Sequence, residues 1–238
     1  MCRGDVLVAP EEITMNTDYY AKKLSAHRLM RVYEIAPPRA RQYLRAEIDH
    51  VLSKIAVNDT VLELGCGFGR VLLPLSRKAQ KTVGIDNAMD TLKLARHYCK
   101  DQNNIDLYCT AAEDLALTDN IFDVVACVQN GLSAFHVDPV TLFAEAVRVT
   151  RPGGIVLFSS YSARFWDHRR EWFELQSREG LLGEIDYDKT GNGKVVCKDG
   201  FTATTFGESE FKAIAAKLHL NITLTEVDES SLFCEVRV

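Results

Sequence analysis

Two acids and three glycines carry the chemistry that this chain offers. The stretch Glu63-Leu64-Gly65-Cys66-Gly67-Phe68-Gly69-Arg70 places glycine at three alternate positions, directly after an apolar run that begins at Val61. Val71-Leu72-Leu73 then resumes an apolar pattern, so the segment reads as a buried strand, a tight turn and the start of a helix. Glycine accepts positive φ and leaves no Cβ between backbone and ligand. A helix opening near Gly69 aims unpaired N–H groups and a positive dipole end at the same spot, and its expected guest is a phosphate or a carboxylate. Nineteen residues beyond Gly67, Asp86 ends a second strand-like run, Lys81-Thr82-Val83-Gly84-Ile85. A carboxylate there can accept hydrogen bonds from both hydroxyls of a ribose whose neighbouring group rests on the glycine loop. The pairing points to a ligand that contains adenosine. A dinucleotide fingerprint, G-x-G-x-x-G, would need its third glycine at position 70, where this chain has Arg70.

The elements that must position these groups alternate along the chain. Residues 1 to about 17 show no periodicity and read as a lead-in, after which Asp18-Tyr19-Tyr20 caps a helix expected to reach about Tyr33. Pro37-Pro38 opens the next helix, whose Ala40, Tyr43, Leu44, Ile48, Val51, Leu52 and Ile55 form one apolar face. Strands are expected at the run entering the glycine loop, at 81–86, 105–109, 122–128 and 155–158, with helices at about 70–78, 90–100 and 139–150 between them. The run Phe122 to Val128 is nearly all apolar, as a central parallel strand covered on both faces should be. A last amphipathic helix carries Phe211, Ile214, Ala215 and Leu218, and two alternating strands follow around Asp228-Glu229-Ser230-Ser231.

Composition excludes several classes. The chain has 238 residues, 47 % hydrophobic and 26 % charged, enough for one full core. With 33 acids against 28 bases and a net charge of -5, it lacks the basic footprint of a nucleic-acid binder. Its seven cysteines are odd in number and contain no C-x-x-C, and no H-x-x-x-H occurs, so neither a disulfide framework nor a metal site is expected. A reducing, cytoplasmic setting follows from that cysteine usage. The only apolar run near the start, Val6-Leu7-Val8-Ala9, is too short for a signal peptide, and no run is long enough to span a bilayer.

Taken in series, the E-x-G-x-G-x-G loop, Asp86, the Ala112-Glu113-Asp114 turn, Phe122-Asp123 and Arg148-x-x-Arg151-Pro152-Gly153-Gly154 resemble the landmarks of the class I S-adenosylmethionine (SAM) methyltransferases, in the same order. The resemblance covers roughly residues 55 to 160. It implies an α/β fold: a Rossmann-like, doubly wound sheet of seven strands with an antiparallel last strand, N-terminal helices and a substrate-lid insertion. The expected segments are an N-terminal helical cap at 1–56, a SAM-binding core at 57–160, a lid at 161–206 and a closing helix and strand pair at 207–238. The implied cofactor is SAM, with S-adenosylhomocysteine (SAH) as product. Its expected contacts are Glu63, Gly65, Cys66, Gly67, Gly69, Asn87 and Gln129, with Asp86 at the ribose. Met89 would pack on the adenine, and the turn Ala112-Glu113-Asp114 would offer an acid to the adenine amino group.

Cys127-Val128-Gln129-Asn130 further resembles the C-x-G-N stretch of the glycine and sarcosine N-methyltransferases, with Gln129 replacing glycine. Those enzymes hold a small carboxylate with that asparagine, an N-terminal tyrosine and an arginine from the insertion. The resemblance therefore implies a substrate site of Asn130, Tyr19 or Tyr20, and one of Arg164, Arg169 or Arg170, alongside Tyr161 and Trp166. The insertion from Tyr161 to about Phe206 is too long for an ordinary connection, holds both tryptophans and reads as a lid. Thr190-Gly191-Asn192-Gly193 reads as a hairpin turn within it. His136, a few residues past the fourth strand, is the candidate general base, with Tyr20 and Asn130 completing the expected catalytic group. The expected function is in-line methyl transfer from SAM to an N, O or S nucleophile of a small polar metabolite. Two alternatives stand beside it, a non-catalytic SAM-fold binding protein and a nucleotide-dependent oxidoreductase. Arg70, the Arg-Pro-Gly-Gly motif and the lack of a Tyr-x-x-x-Lys pair in the expected region count against the oxidoreductase.

Overall fold

In the computed structural model, which describes residues 7–8, 19, 23–24 and 26–238, the apolar runs of the sequence become one sheet of eight strands. Its members are β1 (Leu7–Val8), β2 (Thr60–Leu64), β3 (Lys81–Asp86), β4 (Ile105–Cys109), β5 (Phe122–Cys127), β6 (Thr150–Tyr161), β9 (Ile222–Val227) and β10 (Ser231–Arg237), in the order β1-β4-β3-β2-β5-β6-β10-β9. All pairs from β1 to β6 are parallel, while β10 runs antiparallel between β6 and β9. Seven of these are the expected strands, with the antiparallel ending. The eighth corrects the reading of the first residues as a mere lead-in, since Leu7 and Val8 pair with Tyr108 and Cys109 at the sheet edge.

Helices α2 (Pro38–Lys54), α3 (Leu72–Ser76), α4 (Met89–Tyr98), α5 (Gly131–Ala134), α6 (Pro139–Val149) and α8 (Glu208–Lys217) cover the sheet. Pro38 starts α2 at a position where its missing N–H removes no helical bond, and Ala40, Tyr43, Leu44, Ile48 and Val51 bury its apolar face. Glu47 lies on that same face, fully buried. The helix after the glycine loop is shorter than its pattern suggests, because Pro74 confines it to a single turn and a half. The helix expected at 139–150 ends at Val149, and Arg151-Pro152-Gly153-Gly154 lies in the first part of β6, at the register shift against β5. A Cβ on Gly154 would lie 2.8 Å from the carbonyl oxygen of Asp123, so that crossing needs glycine.

The insertion and the N-terminal helix build a second core beside the first. Helix α1 (His27–Glu34) and α2 contribute Val32, Ala36, Ala40, Tyr43 and Leu44 to it. A single 3-10 turn and α7 (Trp166–Arg178), followed by the small antiparallel pair β7 (Lys194–Val196) and β8 (Thr202–Thr204), contribute Phe165, Trp172, Phe173, Val195 and Phe201. The expected turn at 190–193 is present, closed by reciprocal backbone bonds between Gly191 and Lys194, and Ile185 bridges Cys197. Helix α7 itself had no sequence expectation. Of the helix expected from Asp18 onward, α1 is the described part; Asp18 and Tyr20 lie outside the described residues. No helix among the described residues is long and apolar enough to cross a membrane.

Candidate active site

Where β2 ends, the chain turns through three left-handed glycines, Gly65 at φ 72°, Gly67 at 53° and Gly69 at 90°. Side chains rarely take these angles, and space forbids them as well. A Cβ on Gly65 would stand 2.9 Å from the Phe135 ring, and one on Gly69 would stand 2.8 Å from Cys99 Sγ. The first glycine thus keeps the loop open towards the end of β5, and the third lets α4 pack close. The Cys66 N–H donates to the Ile85 carbonyl at 2.8 Å, which ties the loop to β3. Asp86, the last residue of β3, fixes both sides of the crevice: Oδ2 accepts from the Gly67 N–H at 3.0 Å and Oδ1 from the Ala88 N–H at 2.9 Å. Burial raises the Asp86 pKa above the ordinary carboxylate value, against those same N–H donors.

Glu63 points into this crevice from β2. It is 3 % exposed, and its Oε2 has no hydrogen-bond partner among the described residues. Burial holds its pKa well above the usual value, opposed by the charge of Arg70. A buried acid with an open oxygen, beside a loop that a Cβ would fill, fits the ammonium and backbone-like end of an amino acid; the fixed Asp86 carboxylate fits a ribose. The residues present therefore suit a nucleoside that carries an amino-acid arm.

At the end of β5 two consecutive residues take left-handed backbone, Gln129 at φ 56° and Asn130 at 59°. Such strain persists only when the surroundings hold it. Here the Gln129 N–H donates to Ser159 Oγ at 2.8 Å, and Ser159 in turn donates to Glu47 Oε1 at 2.6 Å, which also accepts from Ser231 Oγ at 2.6 Å. The Asn130 amide is equally committed, accepting from Ser160 Oγ at 2.7 Å and donating to the Thr204 carbonyl at 3.0 Å. Gln129 turns its side-chain oxygen towards the cavity, where it accepts from Tyr33 Oη at 3.1 Å and from Arg70 Nη2 at 2.5 Å.

One cavity joins the glycine loop, Glu63, Arg70, Asp86, Gln129 and Asn130 and runs under α1 and α7, where Val32, Trp172 and Phe173 give it an apolar wall. Of the residues expected in the site, Glu63, Gly65, Cys66, Gly67, Asp86, Asn87, Gln129, Asn130 and Tyr161 line it. Gly69 supports the loop from behind. The expected adenine group lies off this cavity: Met89 begins α4 half-buried, Ala112 belongs to the main core, Glu113 is half-buried and Asp114 is exposed. His136 is exposed and lies beyond the lining, its pKa lowered by partial burial of the ring. Tyr19 spends its hydroxyl on Asp199 at 2.7 Å and packs on Phe201. Arg169, expected at the substrate, is fully buried within the insertion and donates to the carbonyls of Gly193 and Ala203 at 2.8 and 2.9 Å, which ties segments of the insertion together. Its guanidinium lies over the rings of Tyr161 and Trp166. Arg170 is exposed beside Asp167 and Glu174, and Arg164 pairs with Glu226 and Glu229. Tyr20 is outside the described residues. Sequence reasoning missed Tyr33, Arg70, Trp172 and the buried Glu47. Of these, Glu47 was marked by its place on an apolar helix face, and Arg70 by following the loop directly.

Residues 62–158 match the family described as methyltransferase domain. Over 111 residues the chain is 32 % identical to a ubiquinone biosynthesis O-methyltransferase of Hydrogenovibrio crunogenus, a stretch that covers 45 % of this chain and 45 % of that protein. It is 30 % identical over 145 residues to a malonyl-[acyl-carrier protein] O-methyltransferase of a Marinomonas species, covering 58 % of this chain and 52 % of the relative. The chain thus spans about half the length of these curated relatives. The N-methyltransferase NodS of Bradyrhizobium japonicum, solved with SAH, has the same fold at a TM-score of 0.59 and 18 % identity, over 91 % of this chain and 94 % of that one. With the glycine cradle, Asp86 at its strand end and the antiparallel sheet ending all in place, residues 62–158 form a methyltransferase domain on a fold similar to that of the class I SAM-dependent methyltransferases.

Proposed function

We propose that this protein transfers the methyl group of SAM to an N, O or S nucleophile of a small metabolite held beneath α1 and α7. The observation that carries the reading is that a single cavity connects the glycine loop, Glu63 and Asp86 with the apolar wall of Val32, Trp172 and Phe173. Cofactor cradle and acceptor space are thus one compartment. SAM, when bound, supplies a methyl group already activated on a sulfonium, so the protein's part is alignment and exclusion of water. Orientation of that kind can supply about 7–11 kcal/mol of a barrier.

The chain's own groups serve those ends. The open Glu63 Oε2 accepts from an ammonium group, and Asp86, braced by the Gly67 and Ala88 N–H groups, keeps lone pairs free for ribose hydroxyls. Trp172, whose Nε1 donates to the Val32 carbonyl at 3.1 Å, locks α7 onto α1 and keeps bulk water from the acceptor end. Tyr33 and Tyr161 line the cavity with pKa values raised by burial, so at neutral pH they keep their protons and do not act as bases. The acceptor therefore arrives with its lone pair available, as a neutral amine, a thiolate or a phenolate. The two O-methyltransferase relatives make oxygen the first nucleophile to test.

The test has two steps. Calorimetry should show SAM and SAH binding and no binding of NAD(H). Incubation with methyl-labelled SAM and a pool of small metabolites should then give labelled product. Binding of SAM without any methylated product would turn the assignment to a non-catalytic SAM-binding protein.

A further inference from the structure

Arg70 is the only lysine, arginine or histidine among the described residues that line the cavity. It is half-buried directly after the glycine loop, with its guanidinium 4.7 Å from the centre of the Tyr33 ring and Nη2 donating to Gln129 Oε1 at 2.5 Å. Both partners are neutral. The acids that feel its charge, Glu63 and Glu47, are buried, and burial lifts the pKa of each despite Arg70. A guanidinium presents five N–H donors in a planar fork shaped for a carboxylate, and Gln129 takes only one of them. Tyr33 stacks beneath the fork and so restricts its orientation towards the cavity.

We propose that Arg70 is the carboxylate-binding residue of this cavity. The proposal rests on the SAM reading of the site. A carboxylate there has two sources. One is the amino-acid end of the cofactor, whose ammonium would meet the open Glu63 oxygen while its carboxylate meets Arg70, so that the pair reads a zwitterion. The other is an acceptor that bears an acid on an apolar body fitted to the wall of Val32, Trp172 and Phe173.

The experiment measures binding, not turnover. SAH and decarboxylated SAH, which differ only in the carboxylate, are titrated into the wild type and into Arg70→Met. In a second arm benzoate, an apolar carboxylate, is titrated into both proteins saturated with SAH. If the cofactor is the source, the wild type binds SAH about ten- to hundredfold more tightly than the decarboxylated form. Arg70→Met then erases that preference and leaves decarboxylated SAH unchanged, while Arg70→Lys keeps part of it. If the acceptor is the source, the two cofactor analogues bind alike, and benzoate binds the wild type but not Arg70→Met. The preference of the wild type needs no variant, so a misfolded Arg70→Met would leave the first arm readable. Equal binding of both analogues together with no benzoate binding to the wild type overturns the proposal. Failure of SAH to bind the wild type at all would instead remove the cofactor reading.

Discussion

Glu63 combines two opposed properties: burial makes its charge costly in the empty protein, and its open oxygen makes that charge useful to a ligand. A carboxyl whose pKa is raised by folding binds its proton more tightly in the native state than in the unfolded chain. Stability is then highest in acid and falls as pH rises from the ordinary carboxylate range through the raised pKa. Replacing Glu63 by Gln should therefore raise the melting temperature of the ligand-free protein at alkaline pH and flatten its decline with pH, while weakening SAH. Melting curves between about pH 5 and 8 with and without SAH measure both effects; an unchanged pH profile would mean that Glu63 does not carry the penalty. Asp86 differs because its oxygens are already braced by loop N–H groups. Asp86→Ala should weaken SAH by about 1.5–3 kcal/mol, the scale of hydrogen bonds to a charged acceptor. An unaltered dissociation constant would take Asp86 out of the site.

Between elements, the polar links matter as much as the apolar ones. Glu47 on α2 accepts from Ser159 on β6 and Ser231 on β10, and through Ser159 it steadies the left-handed turn at Gln129. Glu47→Ala leaves the buried Ser159 hydroxyl without its acceptor, at a cost of about 1–3 kcal/mol, while Ser231 keeps the Ser160 carbonyl as a second acceptor. Glu47→Gln retains an oxygen at the same place and should cost less; chemical denaturation of the two variants gives the comparison. The insertion is held by a buried cation in the same way. Arg169→Ala removes a donor from the carbonyls of Gly193 and Ala203, and since Gly193 still accepts from the Thr205 N–H the loss should be about 1–3 kcal/mol in all. Its effect should appear as faster proteolysis of the 190–205 segment and a lower melting temperature. A rise in acceptor KM with stability intact would instead return Arg169 to the substrate site.

For the whole molecule, the two cores meet around the cavity, so a ligand that fills it couples them. Saturation by SAH at a hundredfold its dissociation constant should stabilise the native state by about 2.7 kcal/mol. For a chain of this length that corresponds to a rise in melting temperature of roughly 5–11 °C. NAD(H) should produce no shift, and a shift with NAD(H) in place of SAH would reverse the choice of cofactor. The core formed by α1, α2 and the insertion also bears on acceptor size, because the apolar wall belongs to it.

Local pattern was enough to read the sheet, the glycine turn, Asp86 at its strand end and the antiparallel ending. Each depends on neighbours within a few residues: strand runs, glycines at left-handed positions, and a carboxylate at a fixed distance from the loop. Pattern also marked Gln129 and Asn130 as the end of a central strand. It misjudged what depends on contacts across long separations. Asn130 and Arg169 are expected at the substrate; in the fold the Asn130 amide meets Ser160 and Thr204 while lining the cavity, and Arg169 meets the carbonyls of Gly193 and Ala203. Of the two tryptophans, Trp172 faces the cavity and Trp166 does not, because α7 turns one side to α1 and a one-dimensional string does not say which. Arg70 and Tyr33, far apart in the chain, become one feature only when α1 folds over the glycine loop. The left-handed glycines are set by local sterics and are legible from residue type; the left-handed turn at Gln129 and Asn130 and the partner of a buried polar group are decided by packing, and only the tertiary structure shows them.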